Sequence, residues 1–223
     1  MQANYSQRLR LTFSKTGPTR FIGHLDLALT LERSLNRARI PIAYTQGFNK
    51  RPRMQMASAL PLGYTSECEL ADIWLMETME TEAARQQMMS RMAPGIDIHQ
   101  VKEVDLQAPA LQTITLVSHY KATLLDPIPA ADLQARIDEL LAQEQHMRQR
   151  LRGKKKKPYD LRPLIYALTL VQTADLVDYL TMELALEPSK TGRPDEVLDS
   201  LGVDPLAARL HRTRIVLDDG VTG

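Results

Sequence analysis

Cys68 is the single cysteine in a chain of 223 residues. The chain therefore cannot close an internal disulfide, and by itself it cannot supply the several thiolates of an iron–sulfur cluster or a cysteine-based structural zinc site. Its place in the alternating run Glu67–Met76 marks it as a small apolar packing residue. No apolar run approaches the roughly 20 residues needed to cross a bilayer. Met1–Ser6 lacks the charged-then-apolar layout of a secretory signal. A cytoplasmic protein with no membrane partner is expected. The histidines His24, His99, His119, His146 and His211 show no metal-ligand spacing, so no metal site is expected. There is no glycine-lysine phosphate loop, no GxGxxG after a strand, no HExxH and no GxSxG. Net charge is only +1, which gives no global attraction to polyanions.

The charge is unevenly placed, however. Arg148, Arg150, Arg152, Lys154, Lys155, Lys156, Lys157 and Arg162 fall within one short span, against a single acid, Asp160. Basic charge focused in one place binds phosphates even when the total is near zero. Arginines at alternate positions share one strand face and extend the run Lys154–Lys157, which is placed at a turn after Gly153. The partner expected is RNA backbone, with an acidic protein surface as the competitor and a bare solvated hairpin tip as the structural alternative.

The hydrophobic pattern organises the chain. Leu9, Leu11 and Phe13 alternate with Arg8, Arg10 and Thr12, the pattern of a half-buried strand. Leu27, Leu31, Leu35 and Ala38 recur at helical spacing from Gly23 or His24 to Arg39, with Pro41 as the stop. Short strands near 40–44 and 54–60, a strand over 67–76, a helix over 81–92 ended by Pro94-Gly95, and a strand over 96–104 complete a β-α-β-β-α-β order. A connector near residue 108 leads to a looser β-α-β-β-(β)-α-β echo. The fold class expected is α+β: two tandem ferredoxin-like (βαββαβ) units, 1–108 and 109–223, with antiparallel sheets and helices on one face. The methionines of the first half sit at core spacing.

The stretch from Phe21 to Arg53 gathers the most chemically capable side chains. His24, of the residue type whose charge is adjustable near neutral pH, sits at a helix start as a hydrogen-bonding or proton-transfer candidate. Asp26, in the first turn, suits the positive end of the helix dipole. A structural role at the helix start is weighed above proton transfer for both. In Gly47–Arg53, glycine frees the loop, Phe48 offers a stacking face, Asn49 can read an amide or base edge, and Lys50, Arg51 and Arg53 can neutralise phosphate. The alternative is a solvated basic turn with Phe48 buried.

Phe13-Ser14-Lys15-Thr16-Gly17, Arg20-Phe21-Ile22-Gly23-His24-Leu25-Asp26-Leu27, Pro41–Asn49 and Pro61-Leu62-Gly63, followed by the strand with Asp72, resemble the radical SAM-linked proteins of the DUF2344 family. That family shows a Ser-His-Leu-Asp-like element, a Gly-Phe-Asn-Pro-His-Pro-like loop and a Leu-Pro-Leu-Gly-like turn. Here Gly23 stands where Ser is usual and Lys50-Arg51-Pro52 where Pro-His/Arg-Pro is usual, so the loop is more basic than the pattern requires. The resemblance implies a companion of a radical SAM protein, with the iron–sulfur cluster and S-adenosylmethionine on that partner and no cofactor on this chain. The function expected is a non-catalytic accessory that presents RNA, such as tRNA or rRNA, or an RNA-linked substrate. Its binding residues would be His24, Asp26, Phe48, Asn49, Lys50, Arg51, Arg53, Arg148, Arg150, Arg152 and Lys154–Lys157, and no residue is expected to be catalytic. The alternatives are a protein–protein adaptor for that enzyme and a stand-alone RNA-processing or RNA-modifying enzyme using His24 as general acid/base.

Overall fold

Strand β1 (Gln7–Lys15) points Leu9, Leu11 and Phe13 to one side because side chains alternate along a strand, and all three are fully buried. The computed structural model describes residues 5–152, 155–173 and 176–218. Among these the chain is mixed α+β, with four α-helices and mostly antiparallel strands. It divides into two units, residues 1–115 with 214–223 and residues 116–213. No helix among the described residues is long and apolar enough to cross a membrane.

In the first unit, β1 is followed by α1 (His24–Arg37), β2 (Met54–Met56), β3 (Thr65–Leu75), α2 (Thr81–Met89) and β4 (Ile96–Val104). β1 lies between β3 and β4, antiparallel to both, and β2 pairs antiparallel with β3. Leu27, Leu31 and Leu35 of α1 and Ala84 and Met88 of α2 join the β1 apolar face in one core with Ile73, Leu75, Ile96 and Ile98. Each such leucine contributes about 1.5–3 kcal/mol on burial. Met54, Met56, Met79, Met89 and Met92 pack against this core, whereas Met76 is half exposed.

Helix α1 stops before Pro41, and the proline is not what ends it. Arg39 takes a positive φ of 54°, Arg39 N donates to Asn36 O and Ile40 N donates to Leu35 O. This is a Schellman closure made without glycine, which satisfies the last helical carbonyls. The polar face of β1 also differs from the half-buried pattern, because Arg8 and Arg10 are buried as thoroughly as the leucines.

The second unit runs β5 (Thr115–Leu124), α3 (Ala130–Ala142), β6 (Met147–Arg152), β7 (Lys155–Asp160), β8 (Ile165–Thr173), β9 (Leu176–Glu187), β10 (Lys190–Thr191), α4 (Pro194–Ser200) and β11 (Ala208–Leu217). From Arg214 onward, β11 counts with the first unit. The order is β10-β9-β5-β11 with β8 also on β9, while β6 and β7 form a separate two-stranded sheet. Leu133, Ile137 and Leu140 of α3, Leu180 and Leu184 of β9, and Val197 and Leu198 of α4 are buried. Buried Arg212 is satisfied by the Tyr120 hydroxyl, which accepts from Nη2 at 2.8 Å.

Candidate functional site

Residues 43–53 leave the first unit as a pinned hairpin. Ala43 N donates to Trp74 O at 2.7 Å, Arg53 N to Ala43 O at 2.7 Å, and Thr45 N to Arg51 O at 2.9 Å. Arg51 N returns to Thr45 Oγ1 at 3.1 Å, and Tyr44 bridges Pro52. The stem thus rests on β3, and the tip, residues 46–50, projects into solvent. Gly47 sits at φ +143°, a conformation that favours glycine. Phe48 at the tip is fully exposed, which rules out the reading that buries it. An exposed phenylalanine forgoes about 1.5–3 kcal/mol of burial free energy, and its ring is open to stacking by a partner. Asn49 and Lys50 beside it are exposed as well.

The two arginines of this loop are placed differently. Arg51 Nη2 reaches Glu32 Oε1 of α1 at 2.9 Å, yet more than half of the Arg51 side chain remains exposed. Arg53 folds back, with its guanidinium 4.6 Å from the Tyr5 ring centroid and 4.8 Å from that of Trp74. Cation–π stacking of this kind holds the stem and leaves Lys50 and Arg51 as the outward cations of the loop.

Beneath the loop lies a groove of about 580 Å³ lined by His24, Asp26, Glu32, Arg51, Gln55 and Gln112, among others. His24 is the first residue of α1, after Gly23 in the N-cap position, which makes no side-chain cap. Its Nδ1 is buried without a hydrogen-bond partner, a condition most buried polar atoms avoid. Asp26 is exposed in the first turn, where the helix dipole favours a carboxylate. Although two residues apart, His24 and Asp26 both border this groove. Gln55 is tethered through Oε1 to Leu111 N at 2.9 Å. The lining thus sets carboxylates, amides and the Arg51 cation around one groove. Among the described residues no cluster of three or more His, Cys, Asp or Glu could hold a metal ion, and Cys68 is buried.

The basic span in the second unit is a β-hairpin, and Lys155–Lys157 belong to strand β7 rather than to a turn. Register pairs Arg150 with Lys157 and Arg148 with Tyr159, so these residues share one face. Lys154 lies outside the described residues. Lys156 and Lys157 are exposed. Two of the arginines are engaged by α4: Arg148 with Asp199, and Arg150 with Glu196 at 2.6 Å. Tyr159 donates to the same Glu196 carboxylate, and the Arg150 guanidinium lies 4.4 Å from its ring centroid. The exposed lysines, more than the arginines, carry this patch's capacity for phosphate.

This lock has a pH signature. Burial raises the Glu196 carboxyl, but the hydrogen bonds from Arg150 and Tyr159 outweigh it and hold it below the usual value. Burial, then Glu196, pushes the Tyr159 phenol up to about 12. A lowered carboxyl contributes stability that is present above its ordinary value and lost as pH falls through the folded one. A raised phenol contributes below its ordinary value and loses that contribution as pH rises toward 12. Hydrogen exchange of β6–β7 amides should accelerate below pH 4.5 relative to that of β1, beyond the intrinsic pH trend, and Glu196→Gln should abolish the difference. Equal protection at all pH values would refute the lock.

Sequence reasoning missed a buried ion cluster on the polar face of β1. Asp72 of β3, fully buried, accepts from Arg8 Nη2 at 2.6 Å and Arg10 Nε at 2.8 Å. Arg8 also donates to Ala108 O at 2.6 Å and Pro109 O at 2.8 Å. The signal in the sequence was the acid among apolar residues in β3, facing alternate arginines.

Among solved structures, the chain is similar to a chain of a Cbf5-Nop10-Gar1 complex, with TM-score 0.52, 9% identity, and coverage of 93% of this chain and 48% of that one. It is also similar to a chain in an H/ACA RNP bound to a substrate RNA containing 2'-deoxyuridine, with TM-score 0.46, 10% identity and coverage of 95% and 48%. The chain therefore spans about half the length of the chains it matches, and at these identities the first likeness is one of fold. No curated protein matches the sequence. A match to the family described as uncharacterized protein conserved in bacteria extends over residues 8–194, most of the chain, so this protein belongs to the DUF2344 family.

Proposed function

We propose that this chain is a non-catalytic RNA-binding module that acts in the cytoplasm as the companion of a radical SAM enzyme. In this reading it presents RNA, or an RNA-linked substrate, to that partner. The observation that carries it is the pinned loop that holds a fully exposed Phe48 beside Asn49, Lys50 and Arg51. Unpaired bases stack on such a ring at about 1–3 kcal/mol each, while neighbouring cations meet the backbone. His24, with its orphaned Nδ1, and Asp26 supply polar contacts in the groove below. On β6–β7, Lys156 and Lys157 provide a second phosphate-binding surface.

The partner is inferred from the motifs shared with radical SAM-linked proteins, and the single cysteine of these 223 residues leaves a three-cysteine cluster site outside them. We further read each unit as a ferredoxin-like repeat, the boundary falling near residue 108. The order β4-β1-β3-β2 supports this in the first unit and β11-β5-β9-β8 in the second, with β6–β7 as an insertion.

Filter binding of tRNA and rRNA fragments across a salt series tests the RNA reading. Affinity should fall with salt, at about 0.7 log units per phosphate contacted in single strands for each log unit of salt. Phe48→Ala should weaken binding by about 1–3 kcal/mol, and Lys50→Ala and Lys156→Ala/Lys157→Ala should each flatten the salt slope. Salt-independent binding, or binding unchanged in all of these variants, would sink the reading.

A second reading, a protein–protein adaptor, draws on the exposed Phe21, Leu25 and Leu62 of the first unit. Co-purification with a radical SAM enzyme that survives RNase treatment, together with absence of RNA binding, favours it.

A further inference from the structure

The second unit contains a cavity of about 620 Å³ whose wall includes Lys157 of the lysine strand. Its size falls in the range of roughly 300–1,000 Å³ typical of small-ligand pockets. Lys157 and Tyr159 of β7, Pro163, Tyr166 of β8, Glu187 at the end of β9 and Lys190 at the start of β10 line it. Backbone fixes one side: a Cβ at Gly192 would meet Leu164 O at 2.8 Å and Leu184 Cβ at 3.1 Å, so the chain after β10 packs directly on the residue before β8.

Much of the charge around this cavity is already spent. Arg150 is paired with Glu196, and Asp160 Oδ1 accepts from His146 N at 2.8 Å and Arg162 N at 3.0 Å. Three charges stay open to a ligand. Burial, and then the nearby Glu187, raises the half-exposed Tyr166 phenol, and a carboxylate is an acceptor-only group with several lone-pair sites. Lys157 and Lys190 are exposed. A ring face, an acceptor-only group and two cations line the same space.

We propose that this pocket binds a guanine nucleotide, the base lying on Tyr166 with its N1–H and N2–H donating to Glu187 and the phosphate meeting Lys157 and Lys190. A carboxylate needs adjacent donors on the base edge. Guanine offers two side by side, whereas adenine and cytosine set a ring acceptor next to their amino group, and uracil flanks its single N–H with carbonyls. The nucleotide has two sources, a residue of RNA or a free mononucleotide. As a residue of RNA it deepens, and rests on, the RNA-binding reading, because it gives that binding a base preference.

Calorimetric titration of the full chain with GMP, AMP, CMP, UMP and guanosine tests the pocket. A parallel titration uses a short single-stranded RNA carrying one G and the same RNA with that G replaced by A. GMP should bind about tenfold to a hundredfold more tightly than the other mononucleotides. Glu187→Gln should erase that preference without lowering the melting temperature. Lys157→Ala with Lys190→Ala should weaken GMP and leave guanosine unchanged. GMP bound no more tightly than AMP and UMP, or a preference surviving Glu187→Gln, overturns the proposal. Salt-dependent RNA binding without any guanine preference overturns the pocket and leaves the Phe48 loop standing. GMP preference without RNA binding overturns the RNA reading and identifies a free-nucleotide site.

Discussion

Asp72→Ala is expected to destabilise the protein by about 3–5 kcal/mol, the cost of removing one partner from a buried ion pair. The carboxylate is fully buried and satisfies two guanidiniums that are themselves at most 6% exposed. Removing it takes their shared carboxylate from two buried guanidiniums on the covered face of β1. Arg8 keeps the carbonyls of Ala108 and Pro109 and its position 4.8 Å from the Trp74 ring, so part of its environment persists. Against a total stability of about 5–15 kcal/mol, this loss is a large fraction. Urea unfolding followed by far-UV circular dichroism should show a large fall in midpoint with little change in slope. Arg51→Ala is the internal control. It breaks the partly exposed pair with Glu32, a contact of the kind worth about 0–1 kcal/mol. Equal midpoints for the two variants would show that Asp72 does not hold this face together.

Gly95→Ala should cost about 2–5 kcal/mol, combining a left-handed backbone penalty with overpacking. Gly95 adopts φ +89°, and a Cβ there would stand 2.3 Å from the backbone oxygen of Thr16. That oxygen cannot retreat freely, because Thr16 N donates to Gly95 O at 2.8 Å and Thr19 Oγ1 donates to it at 3.1 Å. The strain therefore falls on residues 16–21, the 3-10 turn that leads into α1 and His24. Thermal unfolding of Gly95→Ala should show a markedly lower midpoint. Gly47→Ala, strained at φ +143° but with open space around it, should lose less stability while disturbing the Phe48 tip. A Gly95→Ala variant as stable as the parent would mean that the turn adjusts and the close approach constrains nothing.

Local pattern was enough for the elements that bury one apolar stripe. Leu9, Leu11 and Phe13 announced β1 and the leucine spacing announced α1, whereas α2 closes at Met89 with Ser90 as its C-cap, short of the Pro94-Gly95 stop, and the reason only glycine fits at 95 lies in Thr16, far away in sequence. The exposed loop was legible in kind, since glycine, an aromatic and adjacent cations point to a contact surface. Its projection was not, because the pins to Trp74 and Ala43 are long-range backbone bonds. Arg53 illustrates the limit: it is written among the basic residues of the loop, but two aromatic rings from separate stretches decide that it turns inward. In the same way Arg148 and Arg150 look like free cations until α4, about 50 residues later, supplies Asp199 and Glu196.

The sequence by itself determined the alternation and helical periodicity that set the element order, the absence of cluster-forming cysteines, and the presence of Phe48, Asn49 and Lys50 beside a flexible glycine. Those properties are carried by neighbours in the chain. Tertiary structure decided which charges remain available. Burial of Asp72 binds Arg8 and Arg10 inside the first unit, α4 engages two arginines of β6, and the β9–β10 turn brings Glu187 and Lys190 beside Tyr166. The physical reason is the same in each case. A charge's role depends on the partner and the solvent it meets, and both are set by strand pairing and packing between residues that the sequence keeps far apart.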